Sequence, residues 1–185
     1  MFLLVFISKQ QMSKIYVLKQ VQKIPVTIEE AWSFFSDPQN LLTITPPFLQ
    51  LKIKNLVPAK LIFKGQEITY TVKPLFSIPL SWKTVITEVE PGKMFVDNQI
   101  KGPYKIWHHR HIFKEIDEGV EMTDIVQYQL PFGWLGTLAH SITVKKKLQD
   151  IFTYRTLKIN ELFGECAETK EMKISFTEEA LTWDS

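Results

Sequence analysis

Three of the chain's four histidines lie close together, at His108, His109 and His111. If this stretch is a β-strand, its side chains alternate between two faces, so His109 and His111 share a face that His108 does not. Asp124 lies in the next strand-like segment, which alternates in the same way. The intervening Asp117-Glu118-Gly119 is typical of a turn, because glycine readily takes the positive φ of tight hairpins. The sequence therefore predicts two imidazoles and a carboxylate on one side of a β-hairpin.

The side on which Asp124 lies depends on the length of this turn. With Glu118-Gly119 as a two-residue loop, Phe113 pairs with Asp124, and this carboxylate faces the same way as His109 and His111. A three-residue loop would reverse the relation, because a one-residue slip moves every side chain of a strand to the other face. The two-residue loop is the prediction.

Two further turns extend the same face across the sheet. A two-residue Pro91-Gly92 loop pairs Glu90 with Lys93, and a pair between Ile100 and Tyr104 connects the following strand. The three turns together predict one face that mixes aromatic and polar side chains, which is typical of a pocket wall rather than a simple core. Its members are Trp82, Asp97, Gln99, Trp107, His109, His111 and Asp124.

This polar set is compatible with three kinds of site. His109 and His111 could bind a metal ion with Asp124 as the third ligand, but no further His or Cys falls in register, and we expect no metal. The imidazoles could instead act as general bases oriented by Asp124 or Asp97, although no nucleophile with a partner and no oxyanion donors are identified. In the third interpretation, these groups satisfy one another in an apolar wall or bind the polar end of a ligand.

Length and composition indicate a single globular domain. The chain has 185 residues, of which 45% are hydrophobic, enough for one sizeable core. The net charge of +2 does not indicate nucleic-acid binding. The single cysteine, Cys166, excludes an intrachain disulfide and is typical of a reducing compartment, so we expect a cytoplasmic protein.

The two ends of the chain carry weaker structural signals. Residues 1–12 begin with a short apolar run, well below the about 20 residues that a membrane-spanning helix needs. We therefore predict an N-terminal extension there, without stable membrane insertion. Residues 165–185 are mixed and acidic without strong periodicity, and we predict that they form a C-terminal tail.

Between these ends, residues 13–164 are predicted to form one α+β domain. A strand over Ile15–Ile24 is followed by a helix whose start at Thr27 fits a capping box with Glu30. A second short helix is predicted over Pro38–Ile44.

Strands and then one long helix follow these two short helices. Six segments with period-two alternation are separated by short turns, which predicts an antiparallel meander. From Thr137 to Phe163 the apolar period becomes helical, with Arg155 among the residues predicted to face solvent.

The order of these elements, together with several motifs, resembles the SRPBCC (START/Bet v 1-like) superfamily, and most closely a branch of small single-domain bacterial members. The motifs are Phe95-Val96-Asp97-Asn98-Gln99, Gly102-Pro103-Tyr104, Trp107-x-His109-x-His111-x-Phe113 and Met122-x-Asp124-x-Val126-x-Tyr128-x-Leu130-Pro131. The resemblance implies a helix-grip fold, in which a curved antiparallel sheet of about seven strands wraps around a long C-terminal helix, with two short helices after the first strand. It also implies a deep cavity between the sheet and that helix.

On this resemblance we expect the cavity to bind a hydrophobic or amphipathic small molecule, such as a lipid, without a cofactor. The residues predicted to contact it are Tyr70, Trp82, Phe95, Asp97, Gln99, Trp107, His109, His111, Phe113, Asp124, Tyr128, Ile142 and Phe152.

Two alternatives to this binding role remain open. Superfamily relatives include polyketide aromatase/cyclases, so the first alternative is a cyclase-like enzyme. Its candidate catalytic residues are His109, His111, Asp124 and Asp97. The second alternative is a protein-interaction module without a small-molecule ligand. Fold alone does not choose among these functions, and the expectation is binding rather than catalysis.

Overall fold

The structure is a computed structural model, and it describes residues 14–55, 61–73, 78–131, 143–166 and 173–179. Three predictions lie outside these residues: the N-terminal extension over residues 1–12, the start of the long helix at Thr137, and the ligand contact of Ile142.

An antiparallel sheet forms most of the described structure. Its strands are β1 Ile15–Ile24, β2 Lys52–Ile53, β3 Glu67–Val72, β4 Leu80–Glu90, β5 Met94–Lys101, β6 Ile106–Ile116, β7 Gly119–Gln129 and β8 Lys173–Glu179. Their spatial order is β2-β3-β4-β5-β6-β7-β1-β8, so β2 to β7 are the predicted six-strand meander and β1 pairs with its last strand. The α+β helix-grip fold predicted from the sequence is confirmed.

Two kinds of short helix connect β1 to the meander. Helix α1, Ile28–Phe35, begins with the predicted capping box: the Glu30 backbone N–H donates to Thr27 Oγ1 at 3.2 Å, and the Thr27 N–H donates to Glu30 Oε2 at 2.9 Å. The second helix is a 3₁₀ helix over Pro38–Leu42, and a further 3₁₀ turn, Pro47–Leu49, follows it.

The long C-terminal helix α2, Lys145–Phe163, buries one face against the sheet. The buried residues recur every three or four positions, as a single helix face requires: Leu148, Phe152, Arg155, Thr156 and Ile159. The prediction that Arg155 faces solvent is therefore wrong, because this position falls on the buried stripe. None of the helices in the described part of the chain is long and apolar enough to cross a membrane.

Part of the predicted C-terminal tail is a strand. Residues 173–179 form β8 and pair antiparallel with β1, with Leu18 opposite Phe176. Ile174 and Phe176 pack against the core, whereas Ser175 and Thr177 between and beside them are exposed. An edge strand with only two core-facing apolar side chains has a weak periodic signal, which explains why the sequence predicted a tail and one strand fewer.

The observed hairpin register differs from the prediction without changing which side chains share a face. Gly119 pairs with Ile116, so the turn is Asp117-Glu118, and His111 rather than Phe113 lies opposite Asp124. The pairing of β5 with β6 is also shifted by two residues from the predicted one. A shift of two preserves every face, because side chains alternate with a period of two.

The turn between β4 and β5 is one residue longer than predicted, and a β-bulge compensates for the difference. Glu90 pairs with Met94 across a three-residue turn rather than with Lys93, which alone would put the two strands out of phase. An irregularity between Ile86 and Glu88 then leaves Thr87 without an opposite residue, so Ile86 pairs with Asp97. This bulge restores the predicted face.

Gly119 lies where β7 passes close to the end of β1. Its φ is +132°, and a Cβ atom at this position would collide with the carbonyl oxygen of Ile24. Glycine is therefore required both by backbone conformation and by the close approach.

We expect Gly119→Ala to lower the free energy of unfolding by more than the about 1–2 kcal/mol that a left-handed conformation costs other residues, because a steric clash is added. Gly65→Ala is the matched control, since Gly65 has φ +88° but no atom within 4 Å of an added Cβ. Urea denaturation of both variants measures the difference. Equal losses in the two variants would contradict a role for the close approach to β1.

Candidate functional site

A cavity of about 600 Å³ lies between the sheet and α2. Most of its lining is aliphatic or aromatic, supplied by α1, the 3₁₀ helices, β3 to β6 and α2. Eight of the residues predicted to contact a ligand line it: Tyr70, Trp82, Phe95, Asp97, Trp107, His109, His111 and Phe152.

Four other predicted residues lie outside the lining of this cavity. Phe113 packs in the core against Trp32, with ring centroids 5.8 Å apart in an edge-to-face arrangement. Tyr128 is fully buried between Tyr16 and neighbouring aromatic rings, so the prediction that it touches the cavity is wrong. Asp124 lies beside the two histidines, on the strand next to theirs, and is itself 4% exposed.

Gln99, the fourth residue outside the lining, stabilises the connection between β5 and β6. Its Nε2 donates to the Tyr104 carbonyl oxygen at 2.7 Å, and its Oε1 accepts from the Tyr104 N–H at 3.3 Å. A Cβ atom at Gly102 would collide with the Gln99 amide. Gln99 therefore positions Tyr104, which does line the cavity.

Asp97, His109, His111 and Asp124 form one polar group in the wall, which we call the His/Asp cluster. His109 Nε2 donates to Asp124 Oδ1 at 3.0 Å, and His111 Nε2 donates to Asp97 Oδ2 at 3.0 Å. His109 Nδ1 lies 3.5 Å from Asp97 Oδ2. His111 Nδ1 lies 2.8 Å from Asp124 Oδ1 and has no hydrogen-bond partner among the described residues, so this is an electrostatic contact. Each imidazole therefore lies between both carboxylates.

Aromatic contacts fix the two imidazole rings in place. The ring of His111 stacks on Phe95, with centroids 4.1 Å apart and an angle of 20° between the planes. The ring of His109 meets Trp107 and Phe152 edge-to-face at 6.1 Å and 5.9 Å. The imidazole centroids themselves are 3.7 Å apart. The cluster is held by packing as well as by charge.

Arg155 brings a positive charge to the cluster from α2. Its Nη2 lies 3.7 Å from Asp124 Oδ1, and its guanidinium lies over the rings of Phe35 and Phe152. The side chain lines the cavity and is buried, and its Nε has no hydrogen-bond partner among the described residues. Sequence reasoning missed this residue, although its spacing from Leu148 and Phe152 on one helix face could have identified it.

The helix that carries Arg155 is joined to β1 by amide side chains. Gln20 Nε2 donates to Thr156 Oγ1, and Gln22 Nε2 donates to the Thr156 carbonyl oxygen at 3.2 Å and to Asn160 Oδ1 at 2.7 Å. Both glutamines are buried, so these hydrogen bonds satisfy polar groups that water does not reach. They set the position of the turn of α2 that contains Arg155.

Both carboxyl groups of the cluster are ionised at neutral pH. Burial alone would raise the pKa of Asp124, but Arg155 and the two histidines outweigh it and hold that pKa well below its usual range. Burial likewise acts to raise the pKa of Asp97, and hydrogen bonding to His111 with nearby positive charge leaves it lowered. Asp97 and Asp124 therefore present two negative charges to the imidazoles.

The two histidines have different protonation tendencies. Burial and the neighbouring His111 lower the pKa of His109, and the contact with Asp124 only partly offsets them. Burial also acts to lower the pKa of His111, but its contacts with Asp124 and Asp97 outweigh it and raise that pKa. With Arg155 positive and both carboxylates negative, a single proton on His111 makes the whole group neutral.

The cavity wall can therefore donate and accept hydrogen bonds and can exchange a proton. Its described lining contains the imidazoles of His109 and His111 and the carboxylates of Asp37 and Asp97, and neither Ser nor Cys is among the described lining residues. The ligand atoms of Asp97, His109 and His111 also lie within 4.8 Å of one another, close enough to share one ion.

Comparison with solved structures shows similarity in fold. The structure resembles protein CV1439 from Chromobacterium violaceum, with a TM-score of 0.61 and 12% identity over 81% of this chain and 99% of that one. It resembles protein Ms6760 from Mycobacterium smegmatis with a TM-score of 0.56 and 14% identity, over 79% and 92%. The di-domain ARO/CYC StfQ of the steffimycin biosynthetic pathway gives a TM-score of 0.59 and 12% identity, over 80% of this chain and 52% of that one.

No protein-family model and no curated protein matches the chain. At the low identities of the solved structures, the similarity defines the fold alone. The fold and the cavity together define a helix-grip protein. The fold predicted from the sequence is therefore one that these solved structures share.

We expect Asp124→Asn to lower the free energy of unfolding by about 1–3 kcal/mol, because the amide can keep one hydrogen bond but not the charge that the imidazoles and Arg155 need. Asp150→Asn is the control, since Asp150 pairs with Lys146 at 3.1 Å on the exposed face of α2. The free energy of unfolding of this control should fall by less than about 0.5 kcal/mol. Denaturant titration measures both, and a cluster without structural importance would give equal values.

Proposed function

We propose that this protein binds a hydrophobic or amphipathic small molecule in the cavity between the sheet and α2. The observation that carries the proposal is a space of about 600 Å³ with a mainly apolar lining and a small polar group in one wall. Small-molecule sites in proteins usually have volumes of about 300–1,000 Å³ and combine apolar walls with a few placed polar groups.

The polar part of the lining favours an amphipathic ligand. Asp97, His109 and His111 come from neighbouring strands, and Arg155 faces them from the helix. The Arg155 Nε, buried and without a partner among the described residues, is a donor that an oxygen atom of a ligand would satisfy. The ligand would place its polar end at this group and its apolar part against the aliphatic and aromatic lining.

The cavity argues against a module that binds only other proteins. Such a module would fill the space between the sheet and its long helix with side chains, because interiors are normally close-packed. Trp82, Trp107 and His109 instead border an open volume.

A second candidate function is proton-transfer catalysis on the bound molecule. The supporting observation is that two imidazoles with opposite pKa shifts reach the cavity while Asp97 and Asp124 orient them. The similarity in fold to the ARO/CYC StfQ makes a cyclase-like reaction reasonable for this candidate. Binding remains the first proposal, because the mainly apolar lining supports it directly, whereas proton transfer also needs a substrate that places a reacting atom at the cluster.

A substitution that fills the cavity tests the binding proposal. Ile151 lines the cavity, so Ile151→Trp should weaken binding of the fluorescent amphipathic probe anilinonaphthalene sulfonate by about tenfold or more, which corresponds to a loss of about 1.4 kcal/mol of binding free energy. Leu157→Trp is the matched control, because Leu157 is on the same helix and 61% exposed. Probe binding that is equal in both variants would contradict the proposed cavity site.

Binding and catalysis are separated by the fate of a molecule that co-purifies with the protein. Native mass spectrometry of the wild type identifies it, and incubation with wild type and with His111→Asn then shows whether it is converted. The binding proposal predicts an unchanged molecule in both samples. Conversion by the wild type with a loss of about 100-fold or more in the variant would establish the catalytic candidate instead.

A further inference from the structure

The cavity-facing part of the His/Asp cluster has the geometry of a metal site. We propose that Asp97, His109 and His111 bind one divalent transition-metal ion. This inference concerns the protein's own side chains and does not depend on which molecule occupies the cavity.

The three ligand atoms converge at suitable distances. Asp97 Oδ2 lies 3.0 Å from His111 Nε2 and 3.5 Å from His109 Nδ1. Ligand atoms around a tetrahedral zinc ion, with bonds of about 2.0–2.1 Å, lie about 3.3 Å apart. The two nitrogens lie within 4.8 Å of each other, so one ion can bond to all three atoms once the imidazoles turn toward it.

Asp124 supplies the second requirement, a partner for the imidazole nitrogens that do not face the ion. Its Oδ1 lies 3.0 Å from His109 Nε2 and 2.8 Å from His111 Nδ1. If an ion replaces the proton that His111 Nε2 donates to Asp97, the ionised Asp124 can hold a proton on each of the nitrogens beside it, and the opposite lone pairs are then directed at the ion. Metal-binding histidines usually have such a carboxylate or carbonyl partner, which fixes the tautomer and the ring orientation.

With a proton of each imidazole on the Asp124 side, a positive charge is favoured on the Asp97 side. Two nitrogen lone pairs and an oxygen of the Asp97 carboxylate would otherwise face one another across 3.0 Å and 3.5 Å in a buried wall. A proton between His111 and Asp97 removes only one of these repulsions. A divalent ion removes all of them with three bonds, and Arg155 meanwhile offsets the charge of Asp124.

The chemistry of the ligands limits the kind of ion. Two imidazoles and one carboxylate favour Zn²⁺, Fe²⁺ or Co²⁺ over Mg²⁺ and Ca²⁺, which prefer oxygen ligands alone. All three side chains line the cavity, whereas Asp124 does not. The remaining coordination positions therefore open toward the space in which a ligand would lie, as they do in catalytic rather than structural metal sites.

Sequence reasoning expected no metal because it placed Asp124 in the role of third ligand and found no other. The structure brings Asp97 opposite His109 in the pairing of β5 with β6. Asp97 thus supplies the missing ligand, and Asp124 takes the outer role.

Metal titration of the full chain without an affinity tag tests the site. Protein stripped with a chelator is titrated with Co²⁺, followed by visible absorption, and then with Zn²⁺. We expect about one ion per chain, visible bands typical of four- or five-coordinate Co²⁺, and displacement of Co²⁺ by Zn²⁺. Elemental analysis after dialysis gives the stoichiometry independently. Absence of binding by folded wild-type protein at millimolar metal overturns the proposal.

Variants assign the binding to these side chains. Asp97→Ala and His109→Gln should each lower Co²⁺ affinity by more than about 100-fold, and Asp124→Asn by about 10–100-fold, the usual effect of losing an outer partner. His108→Gln is the matched control, because His108 lies on the opposite face of β6, with Nδ1 2.7 Å from Asn98 Oδ1, and should keep wild-type affinity. Circular dichroism confirms that each variant is folded. An equal loss in His108→Gln, or unchanged affinity in a folded Asp97→Ala, overturns the assignment.

Discussion

One buried carboxylate, Asp124, connects the parts of this structure. Its side chain is 5% exposed, and an ion in such surroundings is stable only with partners of positive or hydrogen-bonding character. Two partners, His109 and His111, come from the neighbouring strand, and the third, Arg155, comes from the long helix. The register of the hairpin and the placement of the helix therefore both depend on the charge of Asp124. Asp97 completes the His/Asp cluster on the side that faces the cavity.

The face of the sheet was predictable from sequence although the pairings were not. Two of the three predicted hairpin registers are wrong by two residues, and period-two alternation makes such errors harmless for the choice of face. The third turn is one residue longer than predicted, an error that would have reversed the face. The bulge at Thr87 cancels it, and nothing local in the sequence marks that bulge. The alternation of side chains was thus enough to predict which polar residues share a face. Which of them lie next to one another was visible only in the three-dimensional structure.

The features that the sequence did not yield depend on contacts between distant segments. Arg155 was assigned to solvent because a charged residue on a helix is usually exposed. Its spacing places it on the buried helix face, but the carboxylate that compensates its charge there, Asp124, is on a strand that the helix pattern does not indicate. The strand β8 was missed because an edge strand buries little, so its pattern is weak. The distinct roles of Asp97 and Asp124 likewise follow from which side of the two imidazoles each carboxylate occupies, and the alternation of residues along a strand carries no such information.

The hydrogen bonds from Gln20 and Gln22 to the carbonyl oxygens of Phe152 and Thr156 have a consequence for the cavity under the same helix. Apolar packing is non-directional and draws surfaces together until they touch. A hydrogen bond has a preferred length and angle, so groups joined by one resist a closer approach. The buried amides therefore act as spacers, which hold the helix at a set height above the sheet and keep the chamber under this helix from collapsing when nothing fills it.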